Sequence, residues 1–291
     1  MTQELFFNAV LEEIKNMVKG EVYLQEVVKQ GDLILHGISI VGESDCIPVI
    51  YLENYYDSFQ AGKLTIIEAA RDVINLWKKH STDIPNLQEQ FNEKNFFVKV
   101  LNKHLSASYI QDTPKKEIAG TNFVYITYIK YDFGDETKAS SKVTYKLLKH
   151  LDMSEAKLFE TALNNCQEKL KPVARNIIEV LKEVYSIDDI KKQEDEPEMI
   201  VITNEDKYYG AAAMFYSDIL KKIATEKASD LVIIPSSTHE GIVTPYNENT
   251  DCGFLKVLIS DINMNYVDTE EILDNIPYIY RRKTDSIEMM L

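Results

Sequence analysis

Cysteine is scarce in this chain. Cys46, Cys166 and Cys252 stand far apart among 291 residues, and none belongs to a C-x-x-C pair. An odd, scattered set argues against a disulfide framework or a thiolate zinc knuckle and for reduced, buried thiols in a cytoplasmic protein. Long apolar runs are missing too: no stretch approaches the about 18 residues that span a bilayer, so no membrane association is expected. The N-terminus sets Glu4, Glu12 and Glu13 among its apolar residues and has no basic region ahead of an apolar one, so no secretory signal is read. Neither G-x-G-x-x-G nor G-x-x-x-x-G-K-[ST] occurs, which leaves no phosphate loop and no expected cofactor. Metal spacing is absent as well. His239 and Glu240 are adjacent rather than spaced as H-E-x-x-H, and His36, His80, His104 and His150 are isolated in the sequence.

Positive charge is the other shortage. Thirty-two Lys and Arg face 47 Asp and Glu, for a net charge of -15. Phosphate backbones are bound by clustered Lys and Arg, so direct nucleic-acid binding is not expected. Lys115-Lys116 and Arg281-Arg282-Lys283 are short enough to be solvated surface. An acidic surface keeps a protein soluble, and it also suits one that occupies a basic groove on a partner.

What the chain has is the balance of a globular protein, 45% hydrophobic and 27% charged. Apolar positions at Phe6, Val10, Ile14 and Met17 predict an amphipathic helix stopped by Gly20. Residues 22–28, 33–41 and 46–52 read as strands, the last either at an edge or irregular in its first residues because of Pro48. Thr65 and Glu68 form a T-x-x-E capping box, opening a helix whose face is Ile66, Ala70, Val73 and Trp77. Residues 81–95 read as a polar linker, and Phe96 to Leu101 fits either a strand or a helix. Thr121 to Tyr131 is a strand, turned at Asp132, Gly134 and Asp135 into a second one through Lys142 to Leu147. Helices follow at 154–169 and 173–185, begun by Ser154 and Pro172.

The charged stretch 186–198 reads as a linker, dividing an N-terminal region 1–190 (sub-lobes 1–85 and 95–190) from a C-terminal lobe 197–291. That lobe holds a strand at 199–203, a helix at 217–227 and a helix with Leu255, Leu258, Ile259, Ile262 and Tyr266 as its apolar face. A short helix near Thr269 and a strand at 278–280 close it. Strands and helices cluster rather than alternate, so the class is α+β, with mixed or antiparallel sheets flanked by helices in two or more lobes.

Reactive side chains concentrate in one place, D-L-V-I-I-P-S-S-T-H-E-G-I-V-T-P at residues 230–245. Leu231 to Ile234 reads as a buried strand, Pro235 stops it, and Ile242 with Val243 returns. If the turn is extended, Ser237 and His239 share one face while Ser236, Thr238 and Glu240 share the other. That suits a hydroxyl nucleophile with an imidazole base, the acid coming from elsewhere. No G-x-S-x-G elbow accompanies it. The plainer reading is that the hydroxyls satisfy turn amides and His239 pins the loop. Asn204, at a strand end, is a ligand-orienting candidate or ordinary turn chemistry.

I-P-V-I-Y-L-E-N-Y-Y, Y-G-A-A-A-M-F-Y and D-L-V-I-I-P-S-S-T-H-E together resemble a family from Gram-positive, gut-associated bacteria, domain of unknown function 5688. Its P-S-S-x-H-E core falls on Pro235, Ser236, Ser237, His239 and Glu240, and a T-N turn on Asn204. Asn92 to Lys138 departs most from the family. The resemblance implies a single evolutionary unit and no assigned activity. The leading expectation is therefore a protein that binds another protein, with a plentiful supply of tyrosines such as Tyr55, Tyr56, Tyr208 and Tyr209 for an interface. In its specific form this is an acidic inhibitor of a nucleic-acid-handling or defence enzyme, arising from mobile-element conflict. The alternative is a hydrolase or transferase using Ser237 and His239.

Overall fold

The computed structural model describes residues 1–42, 48–82, 91–131, 139–185 and 198–290. Contacts divide the chain into two compact units, one from Met1–Lys29 with Leu33–Phe91, the other from Gln30–Asp32, Asn92–Tyr131 and Lys138–Leu291.

In the first unit, α1 (Gln3–Met17) is capped by Thr2, whose hydroxyl accepts from the Leu5 amide, and buries Phe6, Phe7, Val10 and Ile14. Strands β1 (Val22–Val28), β2 (Ile34–Ile40) and β3 (Val49–Tyr51) form an antiparallel sheet in that order. β3 is an edge strand that begins just after Pro48, one of the two placements that residue allows. Helix α2 (Glu53–Gln60) precedes α3 (Ile66–Thr82), and the capping box forms as read. The Thr65 amide donates to Glu68 Oε2 at 2.8 Å, and the Glu68 amide to Thr65 Oγ1 at 3.3 Å. Such a cap contributes about 1 kcal/mol. Ala69, Ala70, Val73 and Ile74 bury in one core with α1 and the sheet, chiefly against α1, with Trp77 packed at the margin.

The second unit opens with β4 (Phe96–Asn102), the run that fits two periods in the sequence. It is a strand buried along its whole length, Lys99 included, and it pairs antiparallel with β6 (Phe123–Tyr131). Burial on both faces removes the alternation that marks a strand. β5 (Lys116–Glu117) and β7 (Ala139–Lys142) also pair with β6. The second strand is shorter than expected: Thr144 caps the amide of Leu147 and starts α4 (Tyr145–His150). The turn at 132–135 lies outside the described residues. α5 (Glu155–Lys169) begins at Ser154 as read.

Pro172 does not begin a helix. It begins β8 (Pro172–Asn176), an edge strand where a missing amide is harmless, and α6 (Ile177–Tyr185) follows. β8 pairs antiparallel with β9 (Ile200–Asn204). The expected division between 1–190 and 197–291 therefore falls between two strands of one sheet and is not where the compact units part. The proposed linker itself, apart from Glu198, lies outside the described residues.

After β9 come a turn of 3-10 helix at Gly210–Ala212, α7 (Ala213–Tyr216) and α8 (Ile219–Glu226). β10 (Leu231–Ile234) and β11 (Gly241–Pro245) make the expected hairpin. α9 (Cys252–Tyr266), β12 (Tyr278–Arg281) and β13 (Ser286–Met289) complete the chain; the segment near Thr269 is a turn rather than a helix. The sheet order is β13-β12-β10-β11-β9-β8, with every pair antiparallel. Among the described residues the class is α+β, helices beside three antiparallel sheets. No described helix is long and apolar enough to cross a membrane.

Candidate functional site

Sheet register brings the two most distinctive loops together. Gly241 at the start of β11 pairs with Ile202 near the end of β9, so the hairpin loop 235–240 and the loop leaving Asn204 lie at one end of the sheet. Gly210 lets them touch. A Cβ there would stand 2.6 Å from the His239 carbonyl oxygen and 2.7 Å from the Asn204 amide nitrogen. Between the loops, Thr203 Oγ1 donates to the His239 carbonyl at 2.8 Å, and the Ala211 amide to the Thr238 carbonyl at 3.3 Å.

The hairpin loop is not extended, so the alternation of faces does not apply to it. The Ser237 amide donates to the Glu240 carbonyl at 3.0 Å, and Ser237 Oγ accepts from the His239 amide at 3.1 Å. The hydroxyl thus serves the turn. Thr238 is buried and its amide donates to the Glu271 carbonyl at 2.8 Å. Ser236 is half-buried at the loop's start. Asn204, also buried, donates through Nδ2 to the Tyr208 carbonyl at 3.0 Å and accepts from the Tyr208 amide at 3.3 Å. That is turn chemistry.

His239 is held on both ring nitrogens. Nδ1 accepts from the Tyr209 amide at 3.1 Å, which places the proton of the neutral ring on Nε2, 3.4 Å from Glu271 Oε1. The imidazole lies parallel to the Tyr209 ring, with centroids 5.4 Å apart and 9° between planes. Tyr209 itself packs on Tyr208 and edge-on to Tyr128, and the buried Lys99 ammonium sits 4.2 Å from its centroid. Lys99 also donates to Gln30 Oε1. Burial pushes the Tyr209 phenol far up, so it stays protonated. The backbone carries strain here, with φ of 52° at Lys207 and 50° at Tyr209. In a nucleophilic triad a carboxylate orients one imidazole nitrogen and the other faces the hydroxyl. Here the carboxylate is present, but the second nitrogen faces a backbone amide and Ser237 faces elsewhere.

The model of a family of unknown function, DUF5688, matches residues 3–282. The chain belongs to that family. No curated protein and no solved structure matches it. The P-S-S-T-H-E stretch of this family member is therefore a loop keyed by main-chain and ring contacts into the Y-G-A-A-A stretch.

A cavity of about 360 Å³ opens beside the keyed loops, with Val173 and Val201 on the sheet side, Val180 and Val184 on α6, and His239 and Glu240 at its end. Glu240 is half-buried, and burial raises its carboxyl above the usual range against a weaker opposing pull from Lys207. The partners of His239, Tyr209 and Glu271, were not legible in the sequence. Glu271 sits in a polar turn with no motif to mark it. The one signal for Tyr209 was its place before Gly210. Among the described residues no group of three or more His, Cys, Asp or Glu is placed to hold a metal ion. Cys166 is buried, which pushes its thiol up to about 12 and leaves it unreactive.

A second feature lies on α9. Its buried residues are Ile259 and Asn263, and Asn263 Nδ2 donates to the Asp274 carbonyl at 2.9 Å and to Asn275 Oδ1 at 2.8 Å. Leu258, Ile262 and Tyr266, which the sequence reading placed on the inner face, are exposed instead. So are Phe254, Val257 and Met264, at 63%, 70% and 80%.

Proposed function

We propose that the protein works by binding another protein, and that the outer face of α9 is the surface it uses. One observation carries this reading: a 15-residue helix has one narrow side buried and leaves six large apolar side chains in water. Contiguous exposed apolar surface marks association sites, and their centres are rich in aromatic residues and methionine and poor in charge. Phe254, Val257, Leu258 and Ile262 recur at helical spacing, the pattern by which an amphipathic helix enters a groove. The net charge of -15 adds steering toward a partner with a basic rim. The narrower version, an inhibitor of a nucleic-acid-handling or defence enzyme, rests on that charge alone.

The turn around His239 supports catalysis less well, because both ring nitrogens and the Ser237 hydroxyl are already engaged within the fold. The test is affinity capture from native lysate with nuclease present, comparing the wild type with a Val257→Lys, Met264→Lys double variant. A stoichiometric protein partner should be captured by the wild type and lost with the variant, whose unfolding midpoint stays unchanged. Retention of the partner by the variant, or capture of none by either protein, would count against the reading.

A further inference from the structure

The cavity beside Glu240 is a built space with an unmet charge. Among the described residues its ionisable lining comprises two cations and two carboxylates besides His239. The cations are already engaged: Arg175 and Lys207 share Glu183 on α6, Arg175 through Nη1 to Oε2 and Lys207 through Nζ to Oε1 at 3.4 Å. That pairing holds the Glu183 carboxyl below its usual range. The carboxylates are not served in the same way. Glu205 is exposed at the rim, and Glu240 is half-buried at the cavity's end. Neither makes a side-chain hydrogen bond or ion pair among the described residues. His239, beside Glu240, directs its two nitrogens to Tyr209 and Glu271. An anion entering here would have to displace Glu183 from Arg175, whereas a cation would meet in Glu240 a carboxylate with no hydrogen bond or ion pair to give up, only the weaker pull of Lys207. The rest of the described wall is four valines together with Thr203 and Asn204, whose side chains are already bonded to the His239 carbonyl and to Tyr208.

We propose that this cavity binds a small organic ammonium, with its charged end on Glu240 and its apolar body against Val173, Val180, Val184 and Val201. At roughly 30 Å³ per water-sized group, the space holds a ligand of about a dozen heavy atoms. The excess negative charge of the protein raises the local concentration of such cations. The proposal stands apart from the α9 surface, and either can fail without the other.

The experiment is a calorimetric titration of the full chain with 2-phenylethylamine, against its neutral analogue 2-phenylethanol and its anionic analogue 3-phenylpropionate. The amine should bind, the alcohol more weakly, and the acid not at all. Glu240→Gln keeps the shape and sacrifices no hydrogen bond, so it should fold as the wild type does while weakening the amine at least about tenfold, the contribution of one charge-assisted hydrogen bond. Val180→Trp should fill the cavity and abolish binding. No binding of the amine to the wild type would overturn the proposal. So would undiminished binding to either variant, or tighter binding of the acid.

Discussion

Replacing Gly210 by alanine tests whether the two loops are keyed together as described. The added Cβ would lie 2.1 Å from Thr203 Oγ1, 2.6 Å from the His239 carbonyl oxygen and 2.7 Å from the Asn204 amide nitrogen. A side-chain oxygen can rotate away, but two of these atoms are main chain at the end of β9 and in the hairpin loop. Overpacking of this kind costs about 1–3 kcal/mol. Displacing Thr203 also forfeits its 2.8 Å bond to the His239 carbonyl, about another 1 kcal/mol. Lower chain entropy in the unfolded state returns about 0.4–1 kcal/mol. The net is a loss of about 2–3 kcal/mol, which for a unit of this size lowers the midpoint by about 4–12 °C. Scanning calorimetry should show the transition of the unit containing Gly210 shifting while that of the first unit stays. A shift below about 1 °C, or a rise, would refute the close approach.

Other outcomes follow from the same geometry. His239→Ala should cost about 1–3 kcal/mol in urea unfolding, since the Tyr209 amide loses its acceptor and the ring its stack. Asn263→Ala should cost about 2–4 kcal/mol by the same measurement and loosen α9, because it leaves the buried Asp274 carbonyl and Asn275 without a donor. Glu240→Gln should raise the midpoint at pH 8. Burial lifts the folded-state carboxyl above its ordinary 4.5, so the ionised form is the penalised one. The advantage of the glutamine variant should therefore shrink as pH falls through that raised value towards 4.5 and vanish below it; an advantage independent of pH would contradict the burial argument.

How much was legible in the sequence depended on whether the local signal was unique. The T-x-x-E box, the alternation-free but aromatic run of β6 and the apolar–polar–apolar order of the β10–β11 hairpin each have one reading, and each was found where it was expected. Pro172 has two readings, helix start and edge-strand start, and only the pairing of β8 with β9 decides between them. β4 was ambiguous because burial on both faces removes its alternation, Lys99 included, whose charge aromatic rings and Gln30 accept. α9 was legible as a helix, but the face read as inner, Leu255, Leu258, Ile259, Ile262 and Tyr266, keeps only Ile259 buried; Asn263, bonded to Asp274 and Asn275, marks the buried side. At the turn, Ser237, His239 and Glu240 were legible as a cluster. What each of them faces was not, since Tyr209 and Glu271 reach His239 through the fold and not through spacing.

The most direct test of the α9 surface is site-specific photo-crosslinking in native lysate. A benzophenone amino acid would replace Val257 or Met264, with exposed Lys222 on α8 as the control position. The account predicts one discrete protein adduct from both α9 positions and none from the control. Equal adducts from all three positions, or none from α9 in a lysate that yields them elsewhere, would contradict it.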